Sequence, residues 1–263
     1  MSSYLSVRLP NPQSIRSKNL KQKFFFSIFF IIFTSLSIIL SQFIVAFLFK
    51  IFFKEKIHQA PYMAALQASS YLLALLFLII LPHFLIQKTK KLAPNSFLKK
   101  LKTSLEEVGL QILPTWTDIG LAPIVFIAYI FTSGFIAKLL SNFTWFDANQ
   151  TQNVGFSTLF SASDRIIAFV ALAVIAPIAE EIIFRGWLYG KLRSKLYFLP
   201  AILIVSALFG LLHGQLNVGI DVFVMSLFVC SQREITGTIH SGILLHIIKN
   251  SFAFFFLFIA NQA

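Results

Sequence analysis

The fold class this sequence predicts is all-α: a polytopic bundle of transmembrane helices with about seven spans. Three observations predict it. Of 263 residues, 57% are hydrophobic and only 12% charged, whereas a soluble domain carries about a quarter charged residues. The apolar residues come in long runs, and the run Phe24–Phe49 holds no charge at all. About 20 apolar residues cross a hydrocarbon core roughly 30 Å thick. Finally, the cations behind the formal net charge of +12 sit in short segments between the runs. That arrangement sets membrane topology and argues against nucleic acid as a partner.

Taken in chain order, the spans read as Phe24–Phe49, Tyr62–Ile86, Asp118–Leu140, Asp164–Phe184, Phe198–His213, Leu216–Cys230 and Ile239–Ala260. The fifth and sixth are short and read as a tight helical hairpin turned at Gly214-Gln215. The chain divides into a tail at 1–23, N-terminal helices and connectors at 24–163, and a helical core at 164–263. With seven spans, three basic segments fall on one side: Arg8 to Lys23, Lys88 to Lys102, and Lys191 to Lys195. That side is the cytoplasmic one, so the N-terminus is expected in the cytoplasm. The loop 141–163 carries Asp147 and no Lys or Arg, in agreement, while Lys50, Lys54 and Lys56 dissent. Residues 92–114 are amphipathic and basic, which suits an interfacial helix and a plain connector equally. Cys230 stands alone, which excludes an intrachain disulfide and a cysteine-based zinc site.

An ionisable side chain inside a span is costly, so each one is interfacial, paired or functional. Asp118, Lys138 and Asp164 lie at span ends, where capping or snorkelling suffices. His83 reads as interfacial, His240 is ambiguous, and Asp221 has no assigned role. Three sites resist this treatment. In Ala179-Glu180-Glu181-Ile182-Ile183-Phe184-Arg185, Glu181 and Arg185 are four apart and can pair on one helical face. Glu180 points about 100° away and has no partner in the segment. His213 ends the apolar run after Phe209. His246 and Asn250 share one face of the last span, with Lys249 beside them.

Together these residues resemble the CPBP family, which includes type II CAAX prenyl endopeptidases and Abi-type proteins. Its three motifs, E-E-x-x-x-R, F-x-x-x-H and H-x-x-x-N, are met in order by Glu180, Glu181 and Arg185, by Phe209 and His213, and by His246 and Asn250. The resemblance covers the chain from about Ala171 onward. It implies an intramembrane endopeptidase, labelled a metalloprotease in much of the family, acting on membrane-associated and in the best-known cases CAAX-type substrates. Glu180 is then the general base that activates water. His213 and His246 position the water, stabilise the oxyanion or bind a metal. Asn250 donates to the oxyanion, and Glu181, Arg185 and Phe209 give structural support.

The cofactor expectation stays between none and Zn2+. His213, His246 and a glutamate supply enough zinc ligands to leave one position open. A liganding Glu180 is no longer a free base, however, and the H-E-x-x-H arrangement that separates those roles is absent. The expected partners are membrane lipid and a membrane-associated peptide or protein. The competing readings are a non-catalytic immunity or scaffold protein of the same fold, and a transporter built from the same intramembrane Glu and His.

Overall fold

The computed structural model describes residues 20–80, 82, 105–148, 150–152, 154–156 and 161–260. His83, the cations at Lys88–Lys102, most of the amphipathic stretch 92–114 and the tail through Lys18 lie outside them. Seven long helices are formed among the described residues: α1 (Leu20–Phe52), α2 (Ala60–Leu75, continued by a π-helical turn at Leu76–Ile80), α3 (Trp116–Leu140), α4 (Ala162–Arg193), α5 (Phe198–Leu211), α6 (Leu216–Thr236) and α7 (His240–Phe258).

The all-helical membrane architecture follows from composition. α1 is apolar around its circumference, with Phe25 67% and Phe43 70% exposed. A helix that is apolar all round and unburied in protein belongs in lipid. Among the described residues five helices are long and apolar enough to span: Lys21–Phe52, Ala60–Ile79, Trp116–Leu140, Ala162–Arg193 and His240–Phe258. The protein is thus an integral membrane protein.

All seven expected segments form helices, in keeping with the polytopic bundle; five meet the length and apolarity of a span, and α5 and α6 are the two that do not. α5 has 14 residues, about 21 Å of helix at 1.5 Å per residue, too short for a full crossing. α6 has 21 residues but carries Asp221, Gln232, Arg233 and Glu234. The hairpin between them forms as the sequence suggests. Gly214 takes φ +67° in the turn, a value that favours glycine. The two helices meet at glycines, and a Cβ on Gly210 would lie 2.6 Å from the Gly219 carbonyl oxygen.

The chain forms two compact units. The first comprises Met1–Phe30, Leu105–Gln152 and Phe184–Leu245, and the second Ile31–Ser104, Asn153–Ile183 and His246–Ala263. In the first unit α6 packs on both α5 and α3, and polar ties secure it. Asp221 Oδ1 accepts from Tyr129 at 2.6 Å and Ser133 at 2.5 Å. Arg193 grips Glu234 from Nε and Nη2, the latter at 2.8 Å, while Tyr189 donates to the same carboxylate at 2.5 Å. Arg233 donates to the carbonyls of Glu107 and Val108; burial pushes its guanidinium down to about 10, still charged at neutral pH. His240 Nε2 meets the Ile112 carbonyl at 2.7 Å.

In the second unit α2 packs along the first half of α4. Ala60, Ala168, Ala171, Phe156 and Phe254 form a shared core, closed by edge-to-face contact of Phe169 on Phe254. Small residues on the facing helices let the backbones approach closely. Both span-end aspartates act as caps. Asp118 closes a capping box with Thr115 and also accepts from Thr238. Asp164 closes one with Ser161, which starts α4. Two reciprocal bonds satisfy otherwise orphaned N–H groups at each helix start.

Candidate active site

α4 is not a uniform α-helix. A π-helical stretch at Val170–Ile175 precedes the short α-helical segment Ala176–Glu181, and a second follows at Ile182–Tyr189. π segments within helices are frequent at functional sites. Pro177 explains part of the geometry. With the Ala176 N–H bonded to the Ala171 carbonyl, the next bond in π register would run from residue 177 to Leu172, and proline has no N–H. The orphaned Leu172 carbonyl is satisfied by Asn250, whose Nδ2 donates to it at 2.9 Å. One amide N–H of Asn250 therefore ties α7 to α4, the interhelical bonding typical of asparagine in spans.

The same two helices bring an imidazole against two carboxylates. His246 is 2% exposed and Glu181 is wholly buried. Nδ1 of His246 lies 2.9 Å from Glu181 Oε1. This contact engages Nδ1 and leaves Nε2 facing the other way. There Nε2 lies 3.8 Å from Glu180 Oε2. That is too long for a direct hydrogen bond and is the spacing across which a shared water mediates. Glu180 keeps 15% of its side chain accessible, so it is reachable where Glu181 is not.

A residue the sequence reading missed completes this side of the site. Tyr71 of α2 donates its hydroxyl to Glu180 Oε1. The only hint in the sequence was the polar cluster Gln67 to Tyr71 inside an apolar run. A cavity of about 270 Å3 opens beside it, lined by Gln42, Met63, Gln67, Ser70, Tyr71 and Phe156 among others. The Gln67 Oε1 is buried and has no hydrogen-bond partner among the described residues.

The second unit thus assembles Glu180, Glu181, His246 and Asn250 of the residues the sequence singled out, and adds Tyr71. The pairing of Glu181 with His246 was not foreseen. Phe209, His213 and Arg185 belong to the first unit. There the Arg185 guanidinium lies 4.4 Å from the Phe209 ring centroid, a cation–π contact. His213 Nδ1 donates to the Phe209 carbonyl at 2.8 Å, and its ring stands edge-on to Phe209.

A structural fit for zinc is incomplete in the second unit. Glu180 and the Nε2 of His246 offer two donors, whereas a catalytic zinc takes three protein ligands. Among the described residues no three His, Cys, Asp or Glu side chains form a group suited to a metal ion.

The second unit thus holds a buried acid–imidazole pair, with Tyr71 linking its neighbour Glu180 to the edge of a cavity. Residues 161–252, which contain all three motifs, match the family model described as Type II CAAX prenyl endopeptidase Rce1-like. The match covers about a third of the chain and agrees with the resemblance its motifs carry. Neither a curated protein nor a solved structure matches the chain.

Proposed function

We propose that this protein is an intramembrane endopeptidase that hydrolyses peptide bonds of membrane-associated substrates through a water activated by Glu180. The observation that carries the reading is the 3.8 Å separation of Glu180 Oε2 and His246 Nε2, a spacing that a single bridging water can close. The match of residues 161–252 to the Type II CAAX prenyl endopeptidase Rce1-like model supports the peptidase class. CAAX-type substrates are the first to test.

The chemistry runs through the chain's own residues. The water attacks the scissile carbonyl carbon as Glu180 takes its proton, and the carbonyl oxygen becomes an oxyanion. Glu180 then returns the proton to the departing amine nitrogen as the C–N bond breaks. Glu181 holds His246 with Nε2 towards the water. The Tyr71 hydroxyl fixes the carboxylate by its other oxygen. The second N–H of Asn250 is the donor left for the oxyanion, a contribution of roughly 3 kcal/mol. The resemblance extends a role in the same reaction to His213, which His213→Ala tests directly. The substrate approaches through the cavity beside Tyr71. Gln67 lies one helical turn from Tyr71, about 6 Å along the axis, or about two residues of extended peptide.

The test is proteolysis by the purified full-length protein in liposomes, with membrane-anchored peptides that include CAAX termini. Glu180→Gln is expected to lower the rate by about 10²- to 10⁴-fold, the range for a general base. Equal cleavage by wild type and Glu180→Gln would falsify the proposal.

A further inference from the structure

The cavity of about 270 Å3 beside Tyr71 carries two carboxamides, Gln67 of α2 and Gln42 of α1. Each stands inside a helix long and apolar enough to span, Ala60–Ile79 and Lys21–Phe52. A carboxamide at such a depth ordinarily bonds a neighbouring helix. Asn250 does so on the Leu172 carbonyl, and Gln232 on the Ser241 hydroxyl. Gln67 does not: its Oε1 is buried and has no hydrogen-bond partner among the described residues. The two hydroxyls that line the same cavity are committed elsewhere. Ser70 donates to the Leu66 carbonyl at 2.9 Å, and Tyr71 donates to Glu180. A buried acceptor without a donor costs the fold the desolvation of that oxygen. Its place on a cavity wall points to a donor that arrives with a ligand.

Position and chemistry say what that donor is. Gln67 lies one helical turn from Tyr71, and Tyr71 holds the carboxylate of Glu180. A peptide whose scissile carbonyl lies at Glu180, running extended along α2, therefore passes Gln67 about two residues away. A segment opened for hydrolysis has given up its intrahelical bonds, and in hydrocarbon each of its N–H and C=O groups needs a new partner. The carboxamide oxygen is a neutral acceptor for such an N–H. The last torsion of glutamine is soft, so Oε1 turns to a ligand in the cavity at little cost. Gln42 is exposed and brings two N–H donors to the same cavity, suited to a carbonyl of the same segment.

We infer that Gln67 is a substrate-binding residue, its Oε1 accepting from a main-chain N–H about two residues from the scissile bond and holding the peptide extended against α2. The position of the scissile bond rests on the protease reading. The contact itself is to the main chain and is open to any side chain at that position.

The experiment uses full-length protein in liposomes with a membrane-anchored peptide that wild type cleaves. Gln67→Leu is expected to raise KM about fivefold, the worth of one neutral hydrogen bond, with kcat unchanged. Its unfolding midpoint stays level or rises, because an unpaired polar group is removed. A set of depsipeptides then replaces one N–H at a time by an ester oxygen, away from the scissile bond. An ester about two residues from that bond is expected to raise the wild-type KM by the same factor and to add nothing in Gln67→Leu. This arm alters the peptide, so it decides the matter even if Gln67→Leu does not fold: a wild-type KM indifferent to the ester at every position overturns the inference. An unchanged KM in Gln67→Leu with a lower unfolding midpoint also overturns it and makes Gln67 a structural residue. Peptide affinity of the Glu180→Gln protein, read by fluorescence polarisation, separates this contact from the reaction. Binding about fivefold weaker on adding Gln67→Leu supports the contact even where wild type cleaves nothing. Cleavage by wild type with binding indifferent to Gln67 removes the contact and leaves the reaction standing.

Discussion

The two compact units both bury charge, and they treat it differently. In the first, each acid examined is closed off by donors: Asp221 by Tyr129 and Ser133, Glu234 by Arg193 and Tyr189, Asp118 by Thr115 and Thr238. In the second, the donors stop short. Tyr71 takes one oxygen of Glu180, while the other faces His246 Nε2 across 3.8 Å. Burial of a carboxylate in a membrane helix is therefore not by itself a catalytic sign. The proposed function rests instead on a carboxylate held by one oxygen, with the other turned towards an imidazole.

The contrast breaks if charge in the first unit proves as dispensable for stability as charge at the site is indispensable for rate. Arg193→Ala leaves Glu234 without its fork of donors. It is expected to lower stability by about 3 kcal/mol, in line with loss of one partner from a buried pair, with kcat of the remaining folded protein unchanged. Thermal or denaturant unfolding in detergent reads the first quantity and peptide cleavage the second. Conversely, Glu181→Gln keeps the size of the side chain but weakens its hold on Nδ1 of His246. Its rate is expected to fall roughly tenfold to a hundredfold, the usual cost of losing a carboxylate that orients an imidazole, with KM little changed.

Smaller effects sharpen the comparison. Tyr71→Phe removes one hydroxyl and nothing else, and kcat is expected to drop about tenfold, the worth of one hydrogen bond to a charged group. Unchanged kcat would make Tyr71 a structural donor like Tyr129. Ser161→Ala deletes the cap of α4 and is expected to cost about 1 kcal/mol of stability, seen in the unfolding midpoint, without altering the cleavage pattern.

Much of the candidate site was legible in sequence because its residues violate their surroundings. Glu180, Glu181, His246 and Asn250 are polar groups in apolar runs, and the i to i+4 spacing put His246 and Asn250 on one face before any contact was known. Tyr71 was hidden because a tyrosine in a span is ordinary, and its partner lies 109 residues away in the chain. The link between Glu181 and His246 was hidden for a related reason. Helical periodicity describes neighbours within one helix, and His246 lies 65 residues further along the chain.

The helices were legible as well. Hydropathy located all seven helices, including α5, whose 14 residues make it the shortest of them. The sequence alone determined that the chain lives in lipid, that its polar exceptions cluster in the C-terminal half, and that those exceptions match a protease pattern. These are local properties of side chains and their spacing, set by the cost of placing each group in hydrocarbon. Tertiary packing alone decided which carboxylate orients His246, which one keeps an oxygen turned towards it, and that Asn250 ties α7 to the carbonyl Pro177 leaves unpaired. Hydrogen bonds between helices depend on distances across the fold that no one-dimensional pattern carries.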